Sequence, residues 1–178
     1  RATRQGAVAF DTETTSLDPV RAHLVGISLA WQEGEACYIP VGHSYLGVPR
    51  QLPIERVLDR LRPLLEDETL PKFAQDHKTD RVVLRRHGIE LRGVEGDPMI
   101  ASYLLDPSRS GHGLSALAKE MLGRTTLAYK DVAGSGRHEV GFDQVDIARA
   151  AEYSAEDADV TLRLSRRLGP RLVEEKLD

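Results

Sequence analysis

The chain has 178 residues, of which 40% are hydrophobic and 29% are charged, as is typical of one soluble globular domain. Its net charge of −4 argues against a module that binds nucleic acid tightly through a basic face. No run of eighteen apolar residues is present, so we expect no membrane-spanning segment. The single cysteine, Cys37, cannot form an internal disulfide, which favours a reducing, cytoplasmic setting.

Three strand-like segments come first, at residues 7–10, 23–31 and 36–41. The second and third are separated by Gln32-Glu33-Gly34-Glu35, which is typical of a hairpin turn. Because sequential strands with short connections usually pair antiparallel, we expect an antiparallel start to the sheet.

Helical periodicity follows over residues 54–65, where the apolar residues share one face. Residues 72–75 and a short segment near Val94 are predicted strands, and residues 79–87, 97–105 and 114–122 are predicted helices. From Asp143 to the end the pattern is helical, with an expected break or kink near Gly169-Pro170. This order predicts an α/β domain with a mixed sheet.

Two acidic residues, Asp11 and Glu13, follow the first apolar run. If the strand continues through them, residues two apart point to the same face. Two adjacent carboxylates repel each other unless a proton or a cation lies between them, and Mg²⁺ and Mn²⁺ prefer such oxygen ligands. A solvated acidic strand end explains this pair equally well.

Three further polar residues are candidates for the same site. Tyr153 and Asp157 are four positions apart, so on a helix they are surface neighbours, although a solvated acidic helix turn is the more common explanation. Asp80 lies where a strand passes into a helix, and by itself it is best explained as a first-turn acid favoured by the helix dipole.

Taken in chain order, Asp11-x-Glu13, Asp80 and Tyr153-x-x-x-Asp157 resemble the DEDD exonuclease superfamily, in its tyrosine-containing branch. The segments FDTET (10–14), YIPV (38–41), GIELRG (88–93) and YSAEDADV (153–160) are similar to the 3′→5′ proofreading exonuclease domain of bacterial family A DNA polymerase I. The resemblance covers about residues 7–168. It implies a ribonuclease-H-like fold, with a mixed five-stranded sheet flanked by helices, and a single domain over residues 1–178 within a larger polymerase.

The resemblance also implies a two-metal-ion hydrolysis of the terminal phosphodiester of DNA, which releases nucleoside monophosphates. Two divalent ions, Mg²⁺ or Mn²⁺, can stabilise both the attacking and the leaving oxygen. By resemblance, Asp11, Glu13 and Asp157 bind the first ion, and Asp11 bridges to the second with support from Asp80. Tyr153, as a neutral phenol, orients the attacking water.

By resemblance, substrate contacts are expected at Leu17, which matches a family position near the terminal bases, and at Tyr129, whose aromatic face accepts any base. Gln75 is a further expected substrate contact. The expected partners are the 3′ end of single-stranded DNA and an adjacent polymerase domain, and we expect a monomer. The sequence departs from the family pattern at Asp76, where Asn is usual, and at Thr79, where an aromatic is usual.

Two alternatives remain open. A related 3′→5′ exoribonuclease has the same carboxylate pattern, and a catalytically silent module of a DNA polymerase has the same fold. An aspartyl phosphatase is disfavoured because Glu13 stands where its second Asp is needed.

Overall fold

The computed structural model describes residues 6–178. In this part of the chain the strands are β1 (Val8–Thr14), β2 (Leu24–Gln32), β3 (Glu35–Pro40), β4 (Lys72–Phe73) and β5 (Val94–Gly96). The helices are α1 (Ile54–Leu65), α2 (His77–Arg86), α3 (Pro98–Leu105), α4 (Leu114–Leu117), α5 (Tyr129–Ala133) and α6 (Ile147–Glu175). None of the helices within residues 6–178 has the length and apolar character needed to cross a bilayer.

The strands form one mixed sheet in the order β3-β2-β1-β4-β5, which confirms the predicted five-stranded sheet. β1 pairs antiparallel with β2, and β2 with β3, as the short connections predict. β4 is parallel to both β1 and β5. β4 pairs with β1 only at Val8 and Ala9, so the far half of central strand β1 extends past its neighbour.

Helices cover both faces of the sheet. Val8 and Phe10 of β1 belong to a buried core that includes residues of α1 and α2, such as Leu58 and Leu84. On the opposite face Ala9, with Ala30 of β2, packs against α6 through Ala158 and Leu162. The small alanine side chains at this contact allow α6 to approach the sheet closely.

Several boundaries differ from the sequence prediction. The predicted helix at 114–122 is α-helical only to Leu117 and continues as a π-helical turn, Ala118–Leu122. The expected strand at 72–75 is shorter, ending at Phe73. Residues 129–133 form α5, which the sequence pattern did not predict.

The last helix, α6, begins at Ile147 and not at 143. Asp146 caps it by accepting hydrogen bonds from the backbone N–H groups of Ala148 and Arg149. The predicted break at Gly169-Pro170 is wrong, because α6 continues through Pro170 to Glu175. Pro170 is exposed, so water can bond the carbonyl that the missing proline N–H leaves free.

Candidate active site

The first part of the site lies on β1. The strand continues through Asp11 and Glu13, so both carboxyl groups project from the face that α6 covers. Glu13 is buried, with 8% of its surface exposed, whereas Asp11 is partly exposed. The Ser154 hydroxyl of α6 donates a 2.7 Å hydrogen bond to Glu13 Oε1. This hydrogen bond from α6 therefore fixes the position of one oxygen of the Glu13 carboxylate.

Helix α6 contributes Tyr153 and Asp157 to the same place. The two side chains are close enough for each to shift the pKa of the other, as their i,i+4 spacing predicts. Burial, followed by the nearby charges of Asp157, Glu13 and Asp11, raises the pKa of Tyr153 far above its ordinary value. The Tyr153 phenol is therefore neutral and keeps its proton at any physiological pH.

Asp80 reaches the site from the first turn of α2. Its Oδ1 accepts hydrogen bonds from the Thr12 backbone N–H, at 3.1 Å, and from the Thr12 hydroxyl, at 2.6 Å. Only 3% of its surface is exposed, and Oδ2 has no hydrogen-bond partner among residues 6–178. A buried carboxylate oxygen without a partner is costly, so this atom requires a proton or a cation.

All four carboxyl groups have raised pKa values. Burial is the main cause at each, and it raises the pKa of Asp11 to about 7 and that of Asp157 to about 8. The pKa values of Glu13 and Asp80 are raised well above normal by burial and then by the charge of Asp11. Such a set is unfavourable at neutral pH without bound cations or protons.

The donor set fits hard divalent cations. All four side chains offer oxygen, the ligand that Mg²⁺ and Mn²⁺ prefer, and Asp80 Oδ2 has no other partner within the described chain. Across residues 6–178, no group of three or more His, Cys, Asp or Glu side chains has the geometry to hold a metal ion as it stands. The expectation of a divalent cation therefore rests on the oxygen ligands and not on a preformed coordination geometry.

A cleft of about 860 Å³ opens beside these groups, and we call it the carboxylate cleft. Its walls are residues 12–17, Asp76, Thr79, Tyr129, Gly136, residues 139–141 and Tyr153. Leu17 is completely exposed on one wall and Tyr129 is 40% exposed on another. Two of the three expected substrate contacts thus border the cleft.

Gln75 has a different environment. Its side-chain Nε2 donates a 3.0 Å hydrogen bond to the carbonyl of His112, and Gln75 is absent from the residues that line the carboxylate cleft. Its Oε1 is buried without a hydrogen-bond partner in the described residues. The structure therefore places Gln75 against the loop between α3 and α4, which contains His112. Its predicted substrate contact stays a prediction.

Both departures from the family pattern lie on the wall of the carboxylate cleft. Asp76 precedes α2 in the left-handed backbone conformation, with φ of 52°. Its carboxylate accepts a 3.2 Å hydrogen bond from the Thr79 hydroxyl. The charge of Asp76 also contributes to the raised pKa of Asp80. Asp76 is therefore a fifth carboxylate near the site.

An aromatic group behind the carboxylates was missed by the sequence analysis. The Tyr38 ring covers Gly26, the cross-strand partner of Glu13, so that a Cβ at Gly26 would overlap the phenol. Tyr38 Oη lies 2.8 Å from His43 Nε2, while His43 Nδ1 lies 3.0 Å from the carbonyl of Val145. A carbonyl can only accept, so Nδ1–H donates to it, and Nε2 accepts a hydrogen bond from the Tyr38 hydroxyl.

Thr12 and Ser154 were also missed, although each stands beside a predicted site residue in the sequence. Strand alternation turns Thr12 away from the face of Asp11 and Glu13, which conceals its contact with Asp80. The sequence signal that could have indicated both contacts is a hydroxyl residue directly beside each site motif.

A second cavity, of about 620 Å³, lies between α3 and the end of α6. It is largely apolar, with Ile100, Leu104 and Val173 among its lining residues. It contains none of the four site carboxyl groups, so the chemistry is assigned to the carboxylate cleft.

Comparison with known proteins identifies the family of this chain. The family model for a 3′-5′ exonuclease matches residues 1–173. The DNA polymerase I of Pseudomonas aeruginosa is 48% identical over 167 residues, covering 93% of this chain, and that of Rhizobium leguminosarum is 49% identical over 184 residues, covering 94%. In each case the match spans only 18% of the relative's own length.

Solved structures share the fold. Brucella melitensis NrnC with bound Mg²⁺ is 25% identical, with a TM-score of 0.69 over 97% of this chain and 76% of its own. A structure described as the apo form of the nuclease has a TM-score of 0.72 at 25% identity, over 99% of this chain and 78% of its own. The sheet and its flanking helices are ribonuclease-H-like. The chain belongs to the family of 3′-5′ exonuclease domains found in bacterial DNA polymerase I.

Proposed function

We propose that this exonuclease domain removes nucleotides from DNA 3′ ends with two divalent ions, and so proofreads within a longer polymerase. The observation that carries the proposal is the proximity of Asp11, Asp80 and Asp157 to Glu13, which itself lines the carboxylate cleft. A phosphodiester carries negative charge, so an acidic site can accept it only when bound cations reverse the local charge.

The residues that would hold the ions are Asp11, Glu13, Asp80 and Asp157. Asp11 is central because its charge raises the pKa of each of the other three. This position suits the bridging role between the two ions. When bound, the ions supply Lewis acidity to the phosphoryl group and stabilise charge on the entering and leaving oxygens.

Tyr153 is proposed to orient the attacking water. Its phenol lines the carboxylate cleft and stays protonated, so it can donate or accept a hydrogen bond but does not act as a base. Phe142 lies 5.9 Å from Tyr153 and 6.1 Å from Tyr129, measured between ring centroids. This packing fixes the direction in which the Tyr153 hydroxyl points.

Leu17 and Tyr129 are proposed to hold the terminal bases. Both present apolar surface to the carboxylate cleft, and stacking on an aromatic ring contributes about 1–3 kcal/mol per base without sequence preference. A proofreading site must accept any 3′ nucleotide, so this tolerance suits the proposed task.

The test is degradation of a 5′-labelled single-stranded DNA in Mg²⁺ or Mn²⁺. We expect a ladder that shortens from the 3′ end and disappears in EDTA and in the Asp11→Asn variant. Asp59→Asn is the matched control, because it removes an exposed carboxylate on α1 and should leave the rate unchanged. An intact substrate at high protein concentration would overturn the proposal in favour of the silent module.

A second candidate is an exoribonuclease of the same chemistry. One of the similar structures is NrnC bound to pGG, with a TM-score of 0.70 over 97% of this chain. Rates on matched DNA and RNA oligonucleotides distinguish the two, and a faster rate on RNA would favour this alternative.

The wider setting is also proposed. The match spans 18% of the length of the DNA polymerase I relatives, which supports the proposal that a polymerase domain adjoins this one. The free thiol of Cys37 agrees with a reducing cytoplasmic location. We propose that the domain acts as a monomer on the 3′ end of single-stranded DNA.

A further inference from the structure

The edge of β1 beside β4 is only partly covered. β4 pairs with β1 at Val8 and Ala9 and ends at Phe73, before the level of Asp11 and Glu13. The Thr12 backbone N–H points to this side and would have no strand partner there. Asp80 takes the place of a strand carbonyl, since its Oδ1 accepts that N–H at 3.1 Å.

The Thr12 hydroxyl adds a second bond to the same oxygen, at 2.6 Å. Two donors on Oδ1 fix the rotation of the carboxylate, and the other oxygen, Oδ2, remains buried without a partner in the described chain. One oxygen is therefore committed to the sheet edge, and the other is left for a ligand.

We propose that Thr12 is a positioning residue, which orients Asp80 so that Oδ2 is available to a divalent ion. This inference rests on the proposed function, because it concerns the same metal site. Partners of metal-binding carboxylates typically change metal affinity by about 10–100-fold when they are removed. The backbone N–H survives any substitution at Thr12, so we expect an effect near the lower end of that range.

The test compares Thr12→Val, which keeps the shape and removes the hydroxyl, with Thr12→Ser, which keeps the hydroxyl. Thr69→Val is a matched control, because the Thr69 N–H and hydroxyl donate to Asp67 Oδ1 at 2.9 and 2.7 Å on the exposed surface. Free Mn²⁺ is measured by electron paramagnetic resonance in titrations without DNA.

We expect Thr12→Val to weaken Mn²⁺ binding by about 10-fold. Thr12→Ser should stay within about 3-fold of the wild type, and Thr69→Val should match it. In the nuclease assay, Thr12→Val should raise the Mn²⁺ concentration for half-maximal rate while the KM for DNA is unchanged. Thr12→Ala serves as the second hydroxyl-free variant if the valine protein does not fold.

The results separate this inference from the proposed function. Wild-type protein that binds Mn²⁺ but leaves DNA intact contradicts the nuclease proposal, while the variants still test Thr12 by binding alone. A folded hydroxyl-free variant with wild-type Mn²⁺ affinity overturns the role of Thr12. Absence of Mn²⁺ binding by the wild type overturns it as well.

Discussion

Asp76 holds a backbone conformation that few side chains tolerate. Its φ of 52° is left-handed, a region in which Asn is better accommodated than most residues. Its carboxylate also adds negative charge to a cleft proposed to admit a phosphate backbone. Asp and Asn both tolerate this conformation, so Asp76→Asn should keep the backbone, remove the charge and improve substrate binding.

We expect Asp76→Asn to lower the KM for single-stranded DNA by about 3-fold, with little change in kcat. A 3-fold change corresponds to the removal of about 0.6 kcal/mol of repulsion between Asp76 and the DNA phosphates. Steady-state kinetics in Mn²⁺ provide the measurement, with Asp59→Asn as the charge-matched control. An unchanged or higher KM in the Asp76→Asn variant would show that Asp76 does not oppose the substrate.

Burial of the carboxyl groups, with the added repulsion from Asp11 at its neighbours, also predicts a pH dependence of stability without metal. The pKa of Asp11 is raised from 3.8 to about 7 and that of Asp157 to about 8. The folded state therefore holds these protons more tightly than the unfolded state does. Their contribution to stability is present below about pH 4 and is lost as the pH rises through the folded-state pKa values.

Asp11→Asn removes the charge that most affects its neighbours. In EDTA at pH 8 we expect its Tm to exceed that of the wild type by about 2–4 °C, the shift given by about 1 kcal/mol in a domain of this size. At pH 5 the difference should be smaller, and Mg²⁺ should raise the Tm of the wild type only. Thermal unfolding followed by circular dichroism measures the Tm in each of the three conditions. A lower Tm for Asp11→Asn than for the wild type at pH 8 would contradict the proposed repulsion between Asp11 and the other site carboxylates.

The sequence was sufficient for some residues of the site and insufficient for others. A strand period of two brings Asp11 and Glu13 together, and a helical spacing of four does the same for Tyr153 and Asp157. The contact between Thr12 and Asp80 depends on β4 ending at Phe73. A local pattern cannot specify where a neighbouring strand stops, so this contact required the structure.

At the level of elements, Asp159 joins α6 to two distant segments. It lies two positions after Asp157, and its Oδ1 accepts the Gly34 N–H of the β2–β3 turn at 2.8 Å. Its Oδ2 accepts from Arg163 Nε at 2.8 Å and from Arg124 at 3.2 Å. These bonds hold the sheet hairpin against α6, and none of them involves the carboxylate cleft.

Asp159→Asn should destabilise the fold by about 1.5–3 kcal/mol, because it removes the charged partner of Arg124 and leaves Arg163 with Glu33 alone. Urea unfolding measures the change. Glu175→Gln breaks the exposed Arg171 pair and should cost less than about 0.5 kcal/mol. If Asp159→Asn costs no more than Glu175→Gln, the network is not structural.

Element boundaries were predictable where periodicity is strong. α1 has the predicted bounds, Ile54–Leu65, because its apolar residues mark one face throughout. α5 is five residues long, too short to show a helical period. The continuation of α6 past Pro170 was missed because tertiary packing of Leu168 and Leu172 supports the helix on both sides of the proline.

For the whole molecule, the net charge of −4 disfavours DNA binding that does not involve bound cations. Without divalent ions we expect no binding of single-stranded DNA up to about 100 μM protein at 0.15 M salt, since no excess of basic side chains offsets phosphate repulsion. Fluorescence anisotropy in EDTA and in Ca²⁺ measures the difference. Tight binding in EDTA at this salt concentration would exclude a metal-dependent mode of capture.

The hydrogen bond from Ser154 to Glu13 joins residues 141 positions apart in the chain. At a synthesis rate of roughly 5–20 residues per second, Ser154 of α6 is added on the order of ten seconds after Glu13. The nascent chain can form the β1–β2–β3 meander early, but it cannot assemble the complete carboxylate set. The proposed active site is therefore complete only after α6, the last of its three contributing elements, has left the ribosome.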